Sequence, residues 1–352
     1  MQSKESNRKV HIDLLRILAC FSVILLHSAS QYWYDIPITS TRWLVCNSYD
    51  AVSRFGVPIF VMISGVLFLG REGEIDLKRL YRNNILRLAV AYWFWSVLYG
   101  LWDSREWMGA EGVKFKDYVA EVVYGRYHLW FIPMMIGIYM LLPVIKTFTD
   151  YASKKYMEYF LMLFLVIEVG VNTIVIVNPP QLVQTVLQLI DVEMVCSYVA
   201  YFVLGYYLYR YPVSEKKEKI IYLSGILGAA LAVVVSAWAS WRNNGPSAAA
   251  FDSYSVFTFA VSVALFVFFQ KKVSGIKWGT AGSKVIRELS ANTFGIYLLH
   301  LWVMEYLQVK GIDSMSIDSV IGIPLLAVGC FIICNVVIAV LRRIPLIGKY
   351  IC

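Results

Sequence analysis

Apolar runs of about twenty residues recur along the whole chain, the length a helix needs to cross the roughly 30 Å hydrocarbon core of a bilayer. Ten can be drawn, at roughly 12–34, 51–69, 85–102, 129–146, 156–178, 195–210, 220–241, 253–270, 290–308 and 318–341. Lipid offers no partner to backbone N–H and C=O groups, so such runs fold as helices rather than open-edged strands. The sequence therefore predicts an all-α polytopic membrane protein with about ten transmembrane helices. It predicts a single membrane domain over 1–352 and no soluble domain. Composition bears this out: 59% of the residues are hydrophobic and 16% charged, against about a quarter charged in soluble domains.

The net charge of +8 would suit a nucleic-acid partner, but the placement of the basic residues explains it without one. With the N-terminus inside and the loops alternating, 23 Lys and Arg fall in inner segments and 8, Arg54 among them, in outer ones; Arg16 stands within the first run. That excess predicts both termini in the cytoplasm. The first run is long, carries Arg16 and His27 and lacks a clean small-residue cleavage site, so it reads as a retained helix and not a signal peptide. The six cysteines (20, 46, 196, 330, 334, 352) show neither metal-like spacing nor a disulfide framework, and no metal is expected. Stretches 115–124 and 181–192 mix charge with helically spaced apolar residues and read as interfacial connectors, or as a roof over a site.

Chemistry points first to the opening helix. Arg16 and His27 are eleven residues apart, so they lie within roughly 20° of one helix face and about 16–17 Å apart along the axis. An ionisable group inside a membrane usually faces the bundle interior, and a neutral imidazole can take a proton from a hydroxyl. The plainer reading of His27 is a hydrogen bond between helices, and of Arg16 snorkelling or pairing with Asp13. Between the second and third runs, Arg79 and Arg82 are three apart and can share a basic face; with Arg16 they would make an anion site. Most such basic residues serve topology alone.

In the second run, Gly56, Ser64 and Gly65 allow close helix approach, and Pro58 interrupts backbone hydrogen bonds. His128 opens the fourth run as His128-Leu129-Trp130; His300 stands midway in the ninth, in Tyr297-Leu298-Leu299-His300. Both suit ordinary hydrogen bonding or interface anchoring, as Trp130 suits an aromatic belt. Glu168 and Asn172 are spaced as a polar lining or an interhelical contact. No glycine-rich phosphate loop, His-Glu-x-x-His or nucleophile elbow is present.

Taken together, Asp13-Leu14-Leu15-Arg16, the ten residues to His27, the stretch Gly56 to Gly65, Lys78-Arg79-x-x-Arg82, His128-Leu129-Trp130 and Tyr297 to His300 resemble the signature of acyltransferase family three. These are integral-membrane acyltransferases that modify bacterial cell-surface glycans. The second-helix motif commonly has two adjacent aromatics, whereas here Phe60 precedes Val61. The resemblance implies transfer of an acyl group, most simply acetyl from acetyl-CoA, to a hydroxyl of an extracytoplasmic polysaccharide or lipid-linked glycan at the bacterial inner membrane. By the same resemblance Arg16, Arg79 and Arg82 would hold the phosphates of cytoplasmic acyl-CoA, and His27 would deprotonate the acceptor. Ser64, Trp130 and Tyr297 are candidate oxyanion donors, with Asp13 and His300 as further cavity residues. The rival reading is a proton-coupled transporter of a small anionic metabolite, although no paired Gly/Pro-broken spans mark two halves.

Overall fold

The computed structural model describes residues 9–107, 115–176, 179–181 and 193–352; residues 182–192 of the second interfacial stretch lie outside them. Helix α1 (Val10–Ser30) is followed by α2 (Thr41–Ser53) and α3 (Gly56–Leu69), which together form the second span. The short α4 (Leu77–Leu80) passes through a π-helical turn, Tyr81–Ile85, into α5 (Leu86–Trp107), and α6 (Phe115–Tyr124) packs back on α5. A 3-10 turn, Tyr127–Trp130, opens α7 (Phe131–Tyr151). Helix α8 (Lys154–Leu163) runs through a second π turn, Phe164–Val169, into α9 (Gly170–Ile176). Then come α10 (Glu193–Arg210), α11 (Glu215–Arg242), α12 (Val256–Phe268), α13 (Thr280–Val309), α14 (Ser319–Leu341) and α15 (Pro345–Tyr350).

The described residues are helical, with no strand among them. Eight helical stretches in them are long and apolar enough to cross a membrane: Val10–Ser30, Thr41–Leu69, Leu77–Asp103, Tyr127–Tyr151, Lys154–Ile176, Glu215–Arg242, Ala249–Val273 and Ser319–Leu341. Helices α10 and α13 lie on two further predicted runs and are not among the eight. Lys284, Arg287, Glu288 and Glu305 dilute the apolar character of α13.

The outward faces show what solvent these helices meet. On α14, Ile321, Leu325, Val328, Ile332, Val336 and Val340 form a stripe at helical spacing that is 42–60% exposed, while Ile323, Ala327, Cys330, Cys334 and Ile338 are buried on the other side. An apolar stripe that long is unfavourable in water and suits lipid. Inside the bundle, α1 is central, packed against α2, α3, α13 and α14. Helices α3 and α10 cross closely, because Gly65 faces the Phe202 backbone and Gly205 the Met62 backbone. A Cβ at either glycine would overlap the opposite main chain, so the crossing requires both.

Pro58 explains why the second span is two helices. A proline has no N–H for the carbonyl four residues back, and its ring clashes with that carbonyl, here that of Arg54. The helix breaks at Arg54–Phe55 and restarts at Gly56, whose missing side chain lets the break sit against Ala19, Ser22 and Val23 of α1. Arg54, counted with the outer cations in the sequence although it falls near the start of the run 51–69, stands at the break between the two helices of this candidate span.

Candidate active site

Arg16 and His27 sit on one unbroken helix, so the separation of about 16–17 Å along it holds. At the Arg16 end, a cavity of about 460 Å³ opens between α1, α3, α5, α7 and α13. Its polar lining includes Arg16, Asn83, Asn84, Arg87 and Arg342. Arg87 lies over the Phe294 ring at 5.4 Å and donates to the Cys352 carbonyl, while Arg342 donates to Asn292 Oδ1 at 2.5 Å. Three guanidiniums round one opening make a site for an anion with several charged oxygens.

Arg79 and Arg82, the residues the sequence pairs with Arg16, are exposed and do not line this cavity. Arg79 belongs to α4 and Arg82 to the π turn. The wider turn shifts the register of the chain entering α5, so that Asn83, Asn84 and Arg87 face the cavity instead. Asp13 is buried at the same end of α1 and accepts from Ser290 Oγ at 2.6 Å, which ties α1 to α13. Ser64 lines the cavity, and its hydroxyl donates to the Phe60 carbonyl at 2.9 Å.

On α3, α7 and α13 the lining residue farthest from the Arg16 end is aromatic: Phe60, Phe131 and Tyr297. Phe131 stands 6.1 Å from Phe60 and 5.6 Å from Tyr297, so the three rings close the cavity at that end. His27 is not among its lining residues. The donor path inferred from the shared helix face is thus interrupted by this aromatic layer. Trp130 also lies off the cavity, half exposed, with its ring 5.6 Å from Tyr198.

Beyond the layer, three of the chain's four histidines come together. The His300 ring is 5.1 Å from His27 and 5.3 Å from His128, and Tyr297 is 5.9 Å from His300 and 5.8 Å from His128. Gly125, at φ +67°, makes the turn that carries the chain from α6 into Tyr127–Trp130 and buries His128. The Tyr297 hydroxyl donates to the His128 carbonyl and fixes that turn against α13. His300 Nδ1 lies 2.6 Å from the Tyr297 carbonyl. Both His128 ring nitrogens and His300 Nε2 are buried with no hydrogen-bond partner among the described residues. Nor, among those residues, is any group of three His, Cys, Asp or Glu side chains arranged to hold a metal ion.

Two charged clusters flank the histidines. Arg54, in the break of the second span, pairs with buried Asp50 at 2.6 Å and stacks on Phe251 at 4.5 Å, within electrostatic reach of His27. On the other side, Arg126 bridges Asp103 and Glu305, and Trp102 donates to Glu305 at 3.0 Å beside Trp302. Tyr127, largely exposed, covers His27 with its ring 5.6 Å away. Arg87, Arg342, Asp50 and Arg54 were not among the site residues the sequence suggested; the three arginines entered that reading only as topogenic charges. Pro58 four residues on was the available signal for Arg54, and nothing local marks Arg87. Glu168 is buried in its π turn, where the Asn172 amide donates to its backbone carbonyl at 2.8 Å.

No curated protein and no solved structure matches the chain. The model of a family described as an acyltransferase domain matches residues 10–341, nearly the whole chain. The helical bundle, Arg16, Arg87 and the histidine cluster lie within that span, with Arg342 just past its end, and the chain belongs to acyltransferase family three, as a membrane acyltransferase.

Proposed function

We propose that the protein moves an acyl group, most simply acetyl, from cytoplasmic acyl-CoA to a hydroxyl of an extracytoplasmic polysaccharide or lipid-linked glycan. In this reading it crosses the bacterial inner membrane ten times, α10 and α13 included, with both termini inside. The observation that carries the reading is the cavity with Arg16, Arg87 and Arg342 at its polar end and Tyr297 at the other, with His27 and His300 just beyond. Its volume suits a small ligand, so a pantetheine arm and acyl group enter while the nucleotide phosphates stay with the arginines. Arg79 and Arg82, exposed beside the opening, meet the nucleotide in solution before it seats.

His27 takes the proton of the acceptor hydroxyl as its oxygen attacks the thioester carbonyl. The C–O bond forms, the C–S bond breaks, and the imidazolium returns the proton to the departing thiolate to give free CoA. The acceptor approaches past Tyr127, Trp302 and the Arg126–Glu305 pair, where an exposed ring and hydrogen-bonding groups suit a sugar. The thioester must pass the Phe60, Phe131 and Tyr297 layer, so one of these rings turns aside when donor binds.

The test is acyl-CoA-dependent release of free CoA from membranes holding the protein, with and without glycan acceptor. Acceptor-dependent release that His27→Ala lowers by at least about 100-fold is expected. A transporter would instead move an anion across sealed vesicles with no covalent product. Unchanged turnover in a folded His27→Ala protein would end the reading.

A further inference from the structure

We propose that His300 is a positioning residue for His27: its Nε2 lone pair receives the second N–H of His27 when that ring takes up the acceptor proton. The inference rests on His27 acting as the base, and adds the group that orients it. Among the described residues no carboxylate makes a hydrogen bond or ion pair with His27, and the nearest polar ring is another imidazole.

The tautomer of His300 follows from its neighbour. Nδ1 lies 2.6 Å from the Tyr297 carbonyl oxygen, which can only accept, so Nδ1 carries the hydrogen and Nε2 bears the lone pair. That lone pair is buried without a partner among the described residues, in a side chain with no exposed surface. A buried acceptor left this way calls for an explanation, because such groups are nearly always satisfied. Cys330 Sγ lies 3.4 Å from the His300 backbone carbonyl and 3.8 Å from Cys334 Sγ, and leaves the ring nitrogen alone.

Of the two imidazoles beside it, His27 is the better donor. Two rings joined by an N–H···N bond of about 3 Å have centroids about 5 Å apart, since each nitrogen stands about 1.1 Å from its ring centre. His27 and His300 have the centroid separation of such a pair, 5.1 Å, with their ring planes tilted by 34°. His128 is perpendicular to His300 at 5.3 Å. A small turn of the half-buried His27 ring makes the bond. While His27 is neutral, an N–H held by Nε2 leaves its other nitrogen as the base. Once that nitrogen is protonated, the same bond stabilises the imidazolium, the part a carboxylate plays in a Ser-His-Asp triad. His300 touches neither substrate in this arrangement; it acts through His27.

The test compares three substitutions in purified protein that retains its wild-type melting temperature. His300→Gln places a carbonyl oxygen near the position of Nε2; His300→Asn can keep the bond to Tyr297 but reaches no farther; His300→Phe keeps only bulk. We expect kcat to fall about 100-fold in the Phe and Asn variants with KM for acyl-CoA within about threefold, and Gln to recover at least tenfold of the loss. If the Phe variant fails to fold, the Gln and Asn pair decides alone. Equal kcat in Gln and Asn, or a loss confined to KM, overturns the proposal. With His27→Ala inactive, such a result removes only the role of His300; an active His27→Ala protein removes the base as well.

Discussion

Replacing Arg87 by methionine isolates the donor site most sharply, because the structure puts Arg87 where the sequence alone puts Arg79. Arg87 is half-buried, lines the cavity and lies over Phe294, so its guanidinium is partly desolvated. A hydrogen bond to a charged group contributes about 1.5–3 kcal/mol. At about 1.4 kcal/mol per factor of ten, losing roughly 2 kcal/mol raises KM for acyl-CoA about 30-fold. kcat should change by less than about threefold, since a lost contact made equally in ground and transition states raises KM alone. Arg79→Met, on an exposed side chain screened by water, should cost under about 1 kcal/mol, a shift of fivefold or less. Arg87→Lys keeps the charge without the planar fork and should fall between wild type and Arg87→Met. The assay is thiol release against acyl-CoA concentration at two ionic strengths, and the wild-type KM should rise with salt. A larger KM effect for Arg79→Met than for Arg87→Met would refute the register argument. A loss in Arg87→Met seen only in kcat would refute the phosphate role.

Two further outcomes bear on the scaffold. Asp50→Asn or Arg54→Met alone strands one charge of a pair whose carboxylate is 1% exposed, a loss of about 3 kcal/mol; melting in detergent should fall by several degrees, and the double variant should regain part of it. A double variant no more stable than the worse single one would show that the two do not act as a pair. Gly65→Val drives a side chain into the Phe202 backbone, so folded yield after extraction should collapse, whereas Gly137→Val, at an open position, should fold as wild type. Equal yields would mean that α3 and α10 part without cost.

How far the sequence reveals this arrangement depends on whether each signal is local. Membrane-length helices are legible because lipid leaves one way to satisfy a backbone over twenty residues, and eight of the ten predicted runs fall on helices long and apolar enough to cross a membrane among the described residues. The Arg16–His27 relation is legible because eleven residues on one straight helix fix both angle and distance. The histidine cluster is not, since His27, His128 and His300 come from three distant segments and each alone suits an ordinary interhelical bond. The arginines fail for a different reason. Arg79 and Arg82 look like the partners of Arg16 on the assumption of regular 3.6-residue winding into α5, but Tyr81–Ile85 winds as a π turn and moves later residues round the axis. Arg54 stands at a helix break whose cause is visible in the sequence, Pro58, whose effect falls on the carbonyl four residues earlier. A polar residue four places before a proline inside an apolar run is therefore better read as lining a break than as closing a loop. Here that break puts a guanidinium within electrostatic reach of the imidazole assigned the chemistry.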